Sequence, residues 1–251
     1  MRLLAALTAM GLATAVIAPP QANSAAPGQA SSQHRQLHAH TIGAAGSTYD
    51  LRWIDGMVQH HIGALRMSEY VFGIGHGGVG ALGKRIWDGQ NQEIRAMQLW
   101  RKAWYPDAPT YPVSPIPGGD PNSPTGLQRM GIDEIEAMQM VASPPKQGQQ
   151  VTWFLEGMLM HHGAALIMAH DCLRNSTNPT LRRLARDIIL AQRSEILEIR
   201  RMLLSGGLNS PEYYRYDKLF SFHVGPQALE EWNSSQAEAG GAQEHQHHQH
   251  K

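Results

Sequence analysis

The sequence predicts an all-α fold built from two helical hairpins, and three observations carry that prediction. Four long stretches place apolar residues at helical spacing. A glycine-rich break divides the first pair of stretches and an Asn-Pro turn divides the second. A segment of the first pair then recurs in the second, as duplication of a two-helix unit would produce.

The 251 residues suit one domain of ordinary size with tails. Met1-Arg2-Leu3-Leu4, an apolar run to about Ala18 and the small residues that follow have the three regions of a secretory signal, so residues 1–26 are expected to be removed on export to an extracytoplasmic compartment. The apolar run is shorter than the roughly 20 residues of a spanning helix. No transmembrane segment is expected in the mature protein.

Residues 27–47, rich in Ala, Ser, Gly and Gln, lack an apolar period and read as a disordered arm. The first helix is expected from Thr48 to about Val71, where Trp53, Ile54, Met57, His61, Ala64 and Leu65 fall on or near one stripe and Ser47 or Thr48 can cap the start. Gly73 to Gly78 breaks it. Leu82, Ile86, Ile94, Met97 and Trp100 restore the period to about Trp104. Seven prolines between Pro106 and Pro124 support neither helix interiors nor central strands, so residues 106–126 read as an exposed crossover. A short helix over Ile132 to Val141 introduces the second hairpin, about Gln150–Arg174 and Thr180–Leu204 around Asn178-Pro179. The helical domain thus spans 48–205, followed by an extension over 206–236 and a His-rich disordered tail over 237–251.

Composition narrows the function. Lys plus Arg equals Asp plus Glu at 21 each, which argues against nucleic-acid or anionic-membrane partners. Cys172 is the only cysteine, so no disulfide framework accompanies export. The 14 His and 12 Met, by contrast, can ligate soft or borderline metals.

The repeat concentrates these residues. Trp53 to Met67 aligns with Phe154 to Met168 at a constant offset, superposing Met57 on Met158, His60-His61 on His161-His162, and Met67 on Met168. Gln90 to Ile94 likewise matches Gln192 to Ile196. On a helix, Met57 lies about 60° from His60 and about 40° from His61, with axial separations of about 4.5 and 6 Å, so Met57 and either imidazole can share an ion. Asp50 is about 16 Å along the axis from His61, and Met67 about 10 Å beyond His60, too far for one site on one straight helix. Further ligands must cross from neighbouring helices, where Glu93 and Met97 sit one turn apart, as do Glu195 and Ile199. Imidazole with thioether favours copper, Cu(I) above all, and added carboxylates move the preference toward Cu(II), zinc or iron.

The plainer reading has weight. A Met on an apolar stripe ordinarily fills a core, a lone buried His is more often structural than ligating, and a helix Glu is ordinarily solvated or salt-bridged. What core packing does not require is His-His with Met at the same offsets in both halves. Candidate ligands are therefore Met57, His60, His61, Glu93, Met97, Met158, His161, His162 and Glu195, with Asp50, Met67 and Met168 secondary. Gln90 and Gln192 are candidates to orient ligands. The tail residues His245, His247, His248 and His250 form a secondary capture site.

At these residues the chain resembles the ferritin-like family called domain of unknown function 305. Tyr49-Asp50, Met57, His60-His61, Gly63-Ala64, Met67 and Gln90 to Ile94 match its pattern, as do Phe154-Leu155, Met158, His161-His162, Met168 and Gln192 to Ile196. Met130 to Met140 looks like the family's Met-containing connecting helix. The resemblance implies a ferritin-like four-helix bundle, usually exported, with copper binding in some members. Val151 stands where the pattern has Asp and Ile199 where it has Met, so the second half is expected to bind more weakly.

Three functions follow. The leading one is an exported, non-enzymatic copper-binding protein that sequesters metal or passes it to other copper-handling proteins. A second is a structural or partner-binding bundle with no specific metal. A third is a ferritin-like oxidoreductase, against which stands the lack of any Glu-x-x-His on the expected helices.

Overall fold

The computed structural model describes residues 42–221, except Pro109 and the side chain of His76. Five α-helices dominate: α1 (Tyr49–Glu69), α2 (Val79–Trp104), α3 (Ile132–Gln139), α4 (Gln150–Asn175) and α5 (Pro179–Ser205). The fold is all-α, with α1 and α2 forming one hairpin, α4 and α5 the other, and α1 packing on α4 between them.

Local chemistry sets the helix ends. The turn before α2 ends on Gly78 at φ +77°, a left-handed backbone that favours glycine. The Asn178 side chain accepts from the backbone N–H of Thr180 (2.9 Å) and Leu181, and Pro179 occupies the first helical turn, where it lacks only an N–H that has no intrahelical acceptor.

Helix α1 touches α2, α3 and α4, and every residue from Leu51 to His61 is buried, charged ones included. Close approach explains one glycine in it. A Cβ at Gly63 would fall 1.8 Å from the Gln139 carbonyl oxygen at the end of α3, so only glycine lets α3 lie there. A side-chain chain holds the same contact. Arg66 donates to Gln139 Oε1 (2.7 Å), Gln139 Nε2 to Gln59 Oε1 (3.1 Å), and Gln59 Nε2 to Tyr111 Oη (3.1 Å).

Two segments differ from what composition predicts, and a third takes a place that composition left open. Residues 42–47 were expected within a disordered arm, but Ile42 is buried, Arg52 donates to the carbonyls of Ile42 and Ala44, and Ser47 bonds Asn122. A buried guanidinium that needs acceptors supplies the order that apolar periodicity does not. The proline-rich crossover is not wholly exposed. It contains an antiparallel ribbon, β1 (Val113–Pro115) with β2 (Leu127–Arg129), pairing Val113 with Arg129 and Pro115 with Leu127. Val113 is fully buried beside Leu51 and Leu127. Beyond α5, Tyr213, Tyr216 and Leu219 return to the core and cover α4. His170 Nε2 donates to the Leu219 carbonyl there (2.9 Å).

The ribbon is anchored by Asp55, a fully buried carboxylate on α1 that accepts from Arg101 Nε (2.6 Å) and from the Val113 N–H (2.9 Å). Glu156, at the same position of the repeat in α4, accepts from Tyr213 Oη (2.5 Å). One acidic position thus ties down the segment following each hairpin.

Two stability outcomes follow, both read by denaturant unfolding. Gly63→Ala is expected to cost about 3 kcal/mol because the new methyl meets backbone, whereas Gly89→Ala, in open space on α2, is expected to gain about 0.5–1 kcal/mol of helix propensity. Asp55→Ala is expected to cost about 3 kcal/mol, leaving Arg101 Nε and the Val113 N–H without their acceptor. Arg101→Ala should lose less than Asp55→Ala, since Asp55 keeps the bond from Val113.

Candidate metal centre

His60 and His61 lie on α1 and His161 and His162 on α4, where the two helices cross, and all four are fully buried. Adjacent residues on a helix point about 100° apart, so each pair sends its two rings in different directions. Their ring centroids are 6.3 Å apart in both pairs.

One imidazole of each pair turns toward the partner hairpin. The rings of His60 and His161 approach to 3.8 Å between centroids at an interplanar angle of 40°, and His161 Nε2 donates to the His60 carbonyl (2.9 Å). A carbonyl can only accept, so His161 carries its proton on Nε2 and, in the neutral ring, its lone pair on Nδ1.

The other imidazole turns toward its own hairpin partner. His61 Nε2 lies 2.6 Å from Glu93 Oε2 on α2, and His162 Nε2 lies 2.7 Å from Glu195 Oε2 on α5. The first contact is a hydrogen bond; the second has the distance of an ion pair without hydrogen-bond alignment. Both glutamate side chains are 23% exposed against 0% for the imidazoles, so the carboxylates stand at the rim with the rings behind them. The result is a pseudo-symmetric row of four imidazoles, His61, His60, His161 and His162, with a carboxylate at each end.

Unsatisfied polar atoms surround this row. Among the described residues, His61 Nδ1, His162 Nδ1 and both amide heavy atoms of Gln90 and of Gln192 are buried without a hydrogen-bond partner. Each glutamine precedes its glutamate by one helical turn on α2 or α5. Buried polar atoms are nearly always paired, so such a concentration at symmetric positions calls for a partner such as water or an ion.

The remaining predicted residues fall as follows. Met57, Met97 and Met158 are fully buried in the same core, as is Ile199 at the position matching Met97. Met67 and Met168 are also buried but serve the crossing: Met67 Sδ would lie 3.5 Å from a Cβ at Gly157, and Met168 Cε 3.8 Å from one at Gly56. Each thioether thus packs over a glycine of the opposite helix. Asp50 is half-buried near the start of α1, and its charge helps raise the pKa of Tyr105 and Cys172 there after burial, the larger cause. His245, His247, His248 and His250 lie outside the described residues. No group of three or more His, Cys, Asp or Glu placed to hold one ion occurs among the described residues, so any such ion needs thioether, amide or water donors besides.

Cys172 does not join the row. It is fully buried, and burial first, then the charges of Asp50 and Asp171, push its thiol up to about 12. Asp171 itself is raised by burial and held by Tyr49 Oη (2.7 Å) and Asn175 Nδ2 (2.9 Å). Sequence reasoning did not find this cluster, nor the Asp55 and Glu156 anchors. The only available signal for the anchors was an acidic residue two places before the Met in both halves of the repeat.

Fold and site together define an all-α protein of duplicated helical hairpins with paired histidines at their crossing. The chain belongs to the family described as "Domain of unknown function (DUF305)", which matches residues 50–203. It is similar to the solved structure of CopM in the Cu(II)-bound form, with a TM-score of 0.47 and 23% identity over 62% of this chain and 97% of that one. For CopM in the Cu(I)-bound form the TM-score is 0.46 and the identity 22%, over 62% and 96% of the two chains. A DUF305 fragment from Deinococcus radiodurans gives a TM-score of 0.44 and 25% identity over 66% of this chain and 99% of that one. No curated protein matches. No described helix is long and apolar enough to cross a membrane.

Proposed function

We propose that this is an exported, non-enzymatic copper-binding protein of ferritin-like four-helix architecture, which sequesters the ion or hands it to other copper-handling proteins. The observation that carries the reading is the buried row of four imidazoles with a rim carboxylate at each end. Burying four imidazoles in a helical core is costly unless each is paired, and an apolar core has no use for Gln90 and Gln192 with unsatisfied amides beside them.

The donor set fits copper. His61 and His162 offer imidazole nitrogen. Met57, Met97 and Met158 offer thioether sulfur from the same core, a combination that suits Cu(I). Glu93 and Glu195 have two possible uses, as ligands themselves or as the carboxylates that fix a ligating ring. The contact to Nε2 supports the second, because a proton held on that nitrogen leaves Nδ1 as the metal-binding atom. Ile199 in place of a second Met97 makes the half-site of the second hairpin poorer in soft donors. The lack of a ready three-residue His, Cys, Asp or Glu cluster among the described residues favours the rival reading, a helical bundle in which these residues only pack.

Competitive titration with Cu(I) and Cu(II) separates the two, using protein that lacks residues 238–251. Binding is expected to be stoichiometric and to weaken at least about 100-fold when His60, His61, His161 and His162 are all changed to Ala. Binding that is absent, or equal in both proteins, would leave the packing role. Glu93→Gln with Glu195→Gln is expected to keep the stoichiometry and cost about 10–100-fold in affinity, the effect of losing a carboxylate that orients a ligand. Met57→Leu with Met158→Leu should weaken Cu(I) more than Cu(II), since only the softer ion depends on thioether.

A further inference from the structure

Helix α5 carries an apolar line on the face turned away from the core. Leu190, Leu197 and Leu204 are 39%, 45% and 44% exposed and recur at intervals of seven residues. Seven residues are nearly two helical turns, so the three side chains form one stripe. Between them the exposed positions at spacings of three and four are Ser194 and Arg201, and the stripe continues to Asp187 and Arg183. From Arg183 to Leu204 it runs about 31 Å.

This stripe is self-complementary in one direction only. With a second α5 laid antiparallel across a two-fold axis at Ser194, Leu190 meets Leu197 of the other copy and Asp187 meets Arg201. Arg183 then lies at Leu204, where its aliphatic stem can cover the leucine. Every layer off the axis occurs twice, as a two-fold interface requires. The small Ser194 meets itself on the axis, where the helices come closest. A parallel arrangement would pair the leucines too, but it sets Asp187 on Asp187, Arg201 on Arg201 and Arg183 on Arg183, and like charges in register oppose association.

We propose that this face of α5 is a homodimerisation surface whose occupant is the same face of a second copy, antiparallel, with Ser194 on the axis. The proposal is independent of metal. All seven positions lie outside the histidine row.

Sedimentation velocity of the exported chain over a concentration series tests it, with circular dichroism confirming the helix content of each variant. The wild type is expected to pass from the mass of one chain to that of two. Leu197→Glu should weaken dimerisation at least tenfold, by placing two charges in the leucine layers. Asp187→Arg and Arg201→Asp should each weaken it about as much, and the double reversal should restore it, because exchanging both charges recreates the Asp–Arg pair across the axis. A chain monomeric at every concentration overturns the proposal. So does a dimer indifferent to Leu197→Glu, or one in which the double reversal is no better than either single change. A wild type that dimerises only after removal of residues 222–251 would show the chain's own end occupying the face, and would overturn it as well.

Discussion

The approach of His60 to His161 at the crossing of α1 and α4 is the constraint on which the rest of the structure depends. It sets polar rings within the apolar core that the two hairpins share, with one ring bonded to the backbone of the other helix. To bring the rings within 3.8 Å the helices must pass closely, and Met168 and Met67 lie against Gly56 and Gly157 of the opposite helix. The second imidazole of each pair is then turned away from the crossing, toward the helix that completes its own hairpin. Glu93 and Glu195 meet it there. These polar contacts between the hairpins and within them thus follow from a single placement of two adjacent histidines.

Duplication is visible in the support as well as in the site. Asp55 and Glu156 occupy equivalent places, and both accept hydrogen bonds from chain that follows their hairpin. The partners are unrelated: a backbone N–H of a short ribbon in one case and a phenol in the other. An acidic residue at that position therefore anchors whatever segment comes next, so the segments after the two hairpins can differ while the helices remain alike. The halves also differ where the soft donors lie, Met97 facing its counterpart Ile199 in the repeat. At that position one half carries a thioether and the other does not.

Much of this was legible in the sequence. The four long helices follow from apolar spacing and from Asn178-Pro179 and the glycine-rich break. The coincidence of His-His with Met at one offset pointed to the residues that meet at the crossing. Spacing could not say which ring faces which neighbour: the helical wheel placed Met57 with either histidine, whereas the structure resolves the pairs through His61 with Glu93 and His60 with His161. Nor could it distinguish Met67 and Met168, which pack on glycines of the opposite helix, from Met57, Met97 and Met158, since that depends on the crossing geometry. Arg52 shows a different limit. A buried guanidinium draws residues 42–47 into place, and such an effect is invisible to any measure of local composition. The ribbon between the hairpins was hidden for a related reason: prolines exclude central strands, yet a two-stranded ribbon leaves each strand an edge, and Pro115 sits at the end of one.

The position of Cys172 has a consequence for how the molecule meets oxidants. An odd cysteine in an oxidising compartment ordinarily invites a disulfide to a second chain. Burial pushes its thiol up to about 12, which makes the reactive thiolate scarce at neutral pH, and the sulfur is sealed from solvent besides. Oxidants and soft metals alike can reach it only when the end of α4 opens. Covalent modification of this sulfur therefore reports opening at that end of the helix.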